Sequence, residues 1–220
     1  MNVIYEGPQD LPDTIPVFPL AGALLLPRGQ MPLNIFEPRY LAMVDAALAG
    51  PRLIGMVQPR DPEEAGATPE LYDVGCVGRI VQFAETGDGR YLISLTGIAR
   101  FDIVEEVGGF APFRQCRVSF GRFASDFRPR VGEEAVDRAA VLAALRSYTE
   151  RTGLRMDWDG VEQAPNEALV NALSMLAPFG GREKQALLEA PDLKSRAEML
   201  VALTEIELAK TGGATQSTLQ

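Results

Sequence analysis

The side chains that could do chemistry are few and poorly arranged for it. There are two cysteines, Cys76 and Cys116, and three lysines, Lys184, Lys194 and Lys210. The sequence holds no histidine, which excludes Ser-His-Asp and Cys-His catalysis, His-ligated zinc and HExxH proteolysis. Cysteines forty positions apart cannot form a CxxC motif, and they read as buried free thiols that pack as small hydrophobes. Ser195 adjoins Lys194, but neighbouring helical positions point apart, so the two cannot act as a dyad. Paired acids at Glu63-Glu64, Glu105-Glu106 and Glu133-Glu134 have no basic or aromatic residues converging beside them in sequence, and they read as solvated. No GxSxG elbow and no GxxxxGK[ST] loop occurs. Gly180-Gly181-Arg182-Glu183-Lys184 reads as the end of one helix and the start of another, and Gly87-Asp88-Gly89 as a turn. Nothing here supports an enzyme, a metal or a cofactor.

The 220 residues allow one large domain or two small ones, and a 46% hydrophobic content suits a folded protein. A formal charge of −9 argues against nucleic acid or an anionic membrane as partner, since both attract positive surfaces. The N-terminus lacks a basic and apolar leader, and no apolar run is long enough to span a bilayer, so a cytoplasmic location is expected.

The elements change character along the chain. Residues 15–20 are an apolar run broken by Pro16 and Pro19, which predicts an edge strand or an extended entry segment. Residues 31–36 predict a second extended piece. From Glu37 to Leu48 apolar residues recur at helical spacing, with Pro38 in the first turn and Gly50-Pro51 as the stop. Residues 53–57 predict a buried strand and residues 58–70 a mobile surface loop. Runs at 74–83 and 91–95 flank the turn Thr86-Gly87-Asp88-Gly89 and predict a hairpin; 98–107 and 113–120 complete a series of short strands. This half reads as a small, bent sheet or barrel.

Residues 122–131 read as a linker to an entirely helical half. Helices are expected over 133–151, around 168–176, over 183–189, and from a cap at Asp192 onward. The organisation is a tail over 1–13, a β-rich subdomain over 14–121, the linker, a helical subdomain over 132–210, and a C-terminal tail over 211–220.

Several segments in order resemble the N-terminal, substrate-binding domain of Lon proteases. They are Ile15-Pro16-Val17-Phe18-Pro19-Leu20, Leu24 to Gly29, and Pro32-Leu33-Asn34-Ile35-Phe36-Glu37-Pro38-Arg39-Tyr40. Val74 to Ile80, Gly89-Arg90-Tyr91, Leu95 to Phe101, and Glu183 to Glu189 followed by Asp192 and Arg196 extend the resemblance over roughly residues 14–208. It implies an α+β fold, in which a PUA-like, six-stranded β pseudo-barrel with one short helix precedes a C-terminal helical bundle. It also implies a module that, in the full protease, precedes an ATPase and a Ser–Lys protease. The chain stops before both, so neither ATP hydrolysis nor peptide cleavage is expected of it.

The resemblance implies a noncatalytic module that holds exposed apolar segments of unfolded or partly folded polypeptides. A second reading is an adaptor for one folded partner, such as an ATP-dependent protease or a second copy of the chain in a weak homo-oligomer. An enzyme of unrecognised chemistry is a third. Candidate contact residues are Leu24, Leu25, Leu26, Phe36, Arg39 and Tyr40. Three successive leucines cannot all face one core from an extended strand, so at least one is expected to be exposed or to sit in a groove, and an inter-domain contact would serve equally. Glu37 and Arg39 read either as a ligand-reading pair or as a salt bridge and cap at the start of the helix. Phe36 and Tyr40 have the spacing of core residues.

Overall fold

Asp88 and Gly89 reverse the chain: Gly89 takes a φ of 81°, which costs a glycine little, and the Thr86 amide bonds the Arg90 carbonyl at 2.9 Å. The strands it joins are β4 (Val74–Glu85) and β5 (Tyr91–Val107). In the computed structural model, residues 4–61 and 68–214 are described, with side chains to 210. They fall into two units, Met1–Pro129 and Arg130–Gln220.

The first unit also contains β1 (Thr14–Pro19), β2 (Gln30–Ile35), α1 (Pro38–Ala49), β3 (Leu53–Val57) and β6 (Gln115–Ser119). The strand order is β2-β5-β4-β3-β1-β6, and β6 pairs with β5 as well as β1, so five strands close on themselves. The long β5 makes this closure. Residues 91–96 pair with β2, and residues 102–107 pair with β6. The two runs expected at 91–95 and 98–107 are thus one strand, continuous through Gly97.

The edge strand is β2, where Pro32 is tolerated. The expectation of an edge or entry segment at 15–20 is corrected, because β1 is paired on both sides. It pairs with β6 over Thr14 to Pro16 and with β3, in parallel, over Val17 to Pro19. Pro16 lies opposite Gln115, and the next amide, Val17 N–H, keeps the β6 side paired by bonding the Arg114 carbonyl at 3.0 Å. The missing N–H therefore breaks no ladder.

Ile15, Val17, Leu53, Val77, Phe101, Cys116 and Val118 form the core inside this sheet. Burying each such side chain contributes roughly 1.5–3 kcal/mol. Both cysteines are buried free thiols. The segment read as a linker is ordered in its first part: Gly121–Phe127 forms a 3-10 helix that buries Phe123, Asp126 and Phe127. Two aromatic contacts, Phe101–Phe120 and Phe120–Phe127, each at 6.3 Å, carry the core onto this helix. At the ends of the loop 58–70, the Arg60 amide bonds the Glu70 carbonyl at 2.8 Å and the Tyr72 amide bonds the Gln58 carbonyl at 3.0 Å. Residues 62–67, and with them the Glu63-Glu64 pair, lie outside the described residues.

The second unit holds α2 (Arg138–Thr152), α3 (Trp158–Gln163), α4 (Asn166–Leu176), α5 (Gly181–Glu189) and α6 (Leu193–Ala214). The helix expected over 133–151 begins later, because Asp137 caps α2 by accepting the Ala140 N–H at 3.0 Å. Gly153, at φ 71°, ends it. Asp192 accepts the Ser195 N–H at 2.7 Å and starts α6 as expected.

Helix α3 was not legible in the sequence; Asp157 caps it, and Arg138 binds its last carbonyls. That guanidinium donates to Val161, Glu162 and Ala164 at 2.8–2.9 Å. Glu133, read as solvated, instead accepts the Glu167 N–H at 2.9 Å, which supplies the start of α4 with a cap that Pro165 cannot provide. Helix α6 packs against α2, α4 and α5. Among the described residues no helix is long and apolar enough to cross a membrane.

Candidate functional site

The candidate contact residues read from the sequence divide sharply. Leu24, Leu25 and Leu26 are 2%, 1% and 0% exposed, so the expectation that at least one is exposed or grooved is corrected. These residues are not in a strand. They form an irregular segment between two turns, where side chains need not alternate. Leu25 packs where Gly78 and Gly97 have no side chain. Buried in this way, the three leucines present no exposed contact surface.

Phe36 departs from its expected core position and is 61% exposed at the end of β2. The Arg90 guanidinium stands 5.9 Å from its ring centre. Tyr40 is buried against Phe18, with ring centres 4.3 Å apart. Arg39 lies over the Tyr40 ring at 4.5 Å and bridges Glu37 at 2.9 Å. The salt-bridge reading of Glu37 and Arg39 therefore holds. The accompanying cap does not, since Glu37 makes no side-chain bond to the helix amides.

Arg39 and Tyr40 line a cleft of about 440 Å³ with Thr68, Glu106, Phe113 and Arg114. Burial pushes the Tyr40 phenol above its ordinary pKa. Across the cleft Arg114 grips Glu106 through two bonds of 2.6 and 2.8 Å and donates to the Pro69 carbonyl at 2.6 Å. Glu106 and its neighbour Glu105, which bonds Arg117 at 2.8 Å, are paired acids and not a free carboxylate couple.

The helical unit carries a more apolar site. A groove of about 450 Å³ runs between α2, α4, α6 and the segment after α2. Its floor includes Val141, Leu145 and Leu200, all buried, and its rim includes Leu154, 56% exposed, and Leu176, 80% exposed. Tyr148, Met156 and Phe179 complete the walls.

Two hydroxyls that line it are spent inside their own helices. Thr149 donates to the Arg146 carbonyl at 2.9 Å and Thr204 to the Leu200 carbonyl at 2.7 Å. Each thus offers the groove little beyond its methyl group. Helical periodicity reads Leu145, Tyr148, Leu173 and Leu176 as core positions, whereas Leu154, Met156 and Phe179 lie in stretches with no periodicity. The only signal they gave was isolated apolar residues next to Gly153 and Pro178.

No group of three His, Cys, Asp or Glu side chains able to hold a metal occurs among the described residues. Lys194 faces Glu198 at 3.7 Å, while the Ser195 amide serves the Asp192 cap. Burial lowers the pKa of Lys184, whose ammonium lies 3.4 Å from the Met175 carbonyl.

The described residues therefore define a mixed α and β domain that presents clefts and grooves. Residues 14–205 match the ATP-dependent protease La (LON) substrate-binding domain, and the chain belongs to that family. It is 28% identical over 205 residues to Lon protease 2 of Myxococcus xanthus, covering 89% of this chain and 24% of that protein. It is also 28% identical over 211 residues to Lon protease 2 of Sorangium cellulosum, covering 89% and 25%. The chain thus spans about a quarter of the length of these curated relatives.

Two solved structures share the fold. One is a Lon N-terminal domain protein from Xanthomonas campestris, with TM-score 0.60 and 23% identity, covering 86% of this chain and 97% of that one. The other is the N-terminal domain of a Mycobacterium avium complex Lon protease, with TM-score 0.65 and 18% identity, covering 87% and 98%.

Proposed function

We propose that this chain is a noncatalytic polypeptide-recognition module that holds apolar segments of unfolded or partly folded proteins in the groove of its helical unit. The observation that carries this reading is the groove itself. It has a buried aliphatic floor, and exposed Leu154 and Leu176 stand at its rim. Membership of a substrate-binding domain family supports a polypeptide as the occupant. The closing of five strands into a ring supports the PUA-like pseudo-barrel, and the packing of α6 on three helices supports the bundle. Phe36, Arg39 and Tyr40 are proposed as an accessory contact surface on the first unit.

The energetics point to weak binding. An apolar segment that buries about 400 Å² gains on the order of 10 kcal/mol at ~25 cal/mol per Å². Ordering a flexible chain consumes much of that gain, which leaves micromolar-class affinity. Fluorescence anisotropy of a labelled, permanently unfolded polypeptide tests the reading, with a folded protein of similar charge as control. Saturable binding of the unfolded chain alone is expected. No binding of either would overturn the reading, and salt-sensitive binding of the folded protein alone would favour a specific adaptor.

A further inference from the structure

In an acidic protein, three arginines converge on one cleft of the first unit. Arg28, Arg52 and Arg79 line a space of about 610 Å³ together with Tyr5, Ile98 and Phe127. Asp126 is the acid that lines it among the described residues, and its carboxylate is taken up by Arg100 through two side-chain bonds of 2.8 Å. Arg79 donates to neutral oxygens, the Pro51 carbonyl at 2.7 Å and the Tyr5 hydroxyl at 3.1 Å. Arg28 donates to the Asp126 main-chain carbonyl at 2.7 Å. Among the described residues, neither Arg52 nor Arg79 forms an ion pair, and the one acid in the lining is held by Arg100.

Two of these arginines stand where a side chain is disfavoured. Arg28 has φ 64° and Arg52 φ 65°, in the left-handed region where the chain elsewhere uses Gly22, Gly89, Gly132 and Gly153; Arg130 is the other exception. Glycine would hold either turn with less strain. A strained backbone that carries an exposed guanidinium at the mouth of a cleft indicates a use for the guanidinium.

Two main-chain amides at the cleft are already bonded. Gly97 N–H donates to the Gly29 carbonyl at 2.9 Å and Ile80 N–H to the Arg52 carbonyl at 2.8 Å. Neither is left for an anion, and the side-chain donors are planar guanidinium forks beside apolar walls.

We propose that this cleft binds Asp or Glu carboxylates of a polypeptide, flanked by apolar side chains. The proposal rests on the polypeptide-recognition reading and adds a preference for acidic segments. A short labelled peptide of Leu, Phe, Ser and two Glu residues, and its Glu→Gln counterpart, test it by anisotropy at low salt. The acidic peptide should bind about tenfold more tightly, as charge-assisted bonds to guanidinium allow.

The Arg52→Gly and Arg79→Gln double variant should abolish that ratio and leave binding of the Gln peptide unchanged. Arg52→Gly alone should narrow the ratio and retain or raise thermal stability, which separates lost binding from lost folding. Equal binding of the two peptides would overturn the acidic preference and leave polypeptide recognition standing. Binding of neither peptide would overturn both. A ratio unchanged in the double variant, or loss of the ratio on adding inorganic phosphate at unchanged ionic strength, would also overturn the assignment.

Discussion

The Leu26 carbonyl rests on the bare Cα of Gly97: a Cβ added at Gly97 would lie 2.1 Å from that oxygen. The same two stretches exchange main-chain bonds, from Arg28 N–H to Gly97 O at 2.8 Å and from Gly97 N–H to Gly29 O at 2.9 Å. This close approach seats the three buried leucines over β5. Gly97→Ala should therefore destabilise the first unit by about 3 kcal/mol, at the upper end of overpacking costs. Chemical denaturation followed by circular dichroism would show a lower midpoint. A midpoint equal to the wild type would mean that this contact is not needed.

Arg100 and Asp126 form a buried pair, with side chains 4% and 9% exposed, and the Arg100 ring contact with Phe123 is 4.4 Å. Asp126 also accepts the Arg100 main-chain N–H at 3.0 Å. Asp126→Ala leaves a buried guanidinium uncompensated and should cost roughly 3–5 kcal/mol. Arg100→Met combined with Asp126→Leu should recover most of that loss, since a well-packed apolar pair can replace a buried ion pair. A double variant as unstable as the single one would contradict this.

Burial first, and then the nearby Glu106 carboxylate, push the Cys116 thiol from 9.0 to about 11. A raised thiol pKa means that the fold favours the protonated form. The resulting stability is complete below pH 9.0 and is lost as pH rises from there towards about 11. Native protein should react slowly with a thiol reagent at neutral pH, and both cysteines should titrate once denaturant is added. Rapid modification of Cys116 in the native state would show that it is accessible.

At the start of α6, the Ser195 N–H holds the Asp192 carboxyl below its ordinary pKa. A depressed carboxyl pKa stabilises the fold above the unfolded value, and that contribution is lost as pH falls through the folded value. Asp192→Ala should cost about 1 kcal/mol at neutral pH, as loss of an N-cap does. The difference from wild type should shrink in melts carried out at acid pH. An undiminished difference there would assign the effect to something other than the carboxylate.

The sequence revealed those parts of the fold that local chemistry dictates. Asp88-Gly89 requires a tight reversal, Pro38 and Gly50 bound α1, and Asp192 caps α6. The runs 91–95 and 98–107 read as two strands because a glycine inside a strand, here Gly97 made for close approach, interrupts the β pattern. Pro16 misled because a proline can sit inside a paired strand where the ladder uses the amide next to it. Leu24, Leu25 and Leu26 misled because alternation governs strands and not irregular segments. The apolar groove was hidden for another reason. Its residues come from Val141 to Thr204, and only the packing of three helices brings them together.

Apolar polypeptide segments are proposed to bind the groove of the helical unit. The most direct test repeats the anisotropy titration of an unfolded polypeptide with a Leu154→Glu and Leu176→Glu double variant. Both side chains are exposed, at 56% and 80%, so the substitutions should leave the thermal midpoint nearly unchanged. The account predicts a loss of affinity of about tenfold or more, because two apolar rim contacts are replaced by charges that resist desolvation. Wild-type affinity in a folded double variant would contradict it.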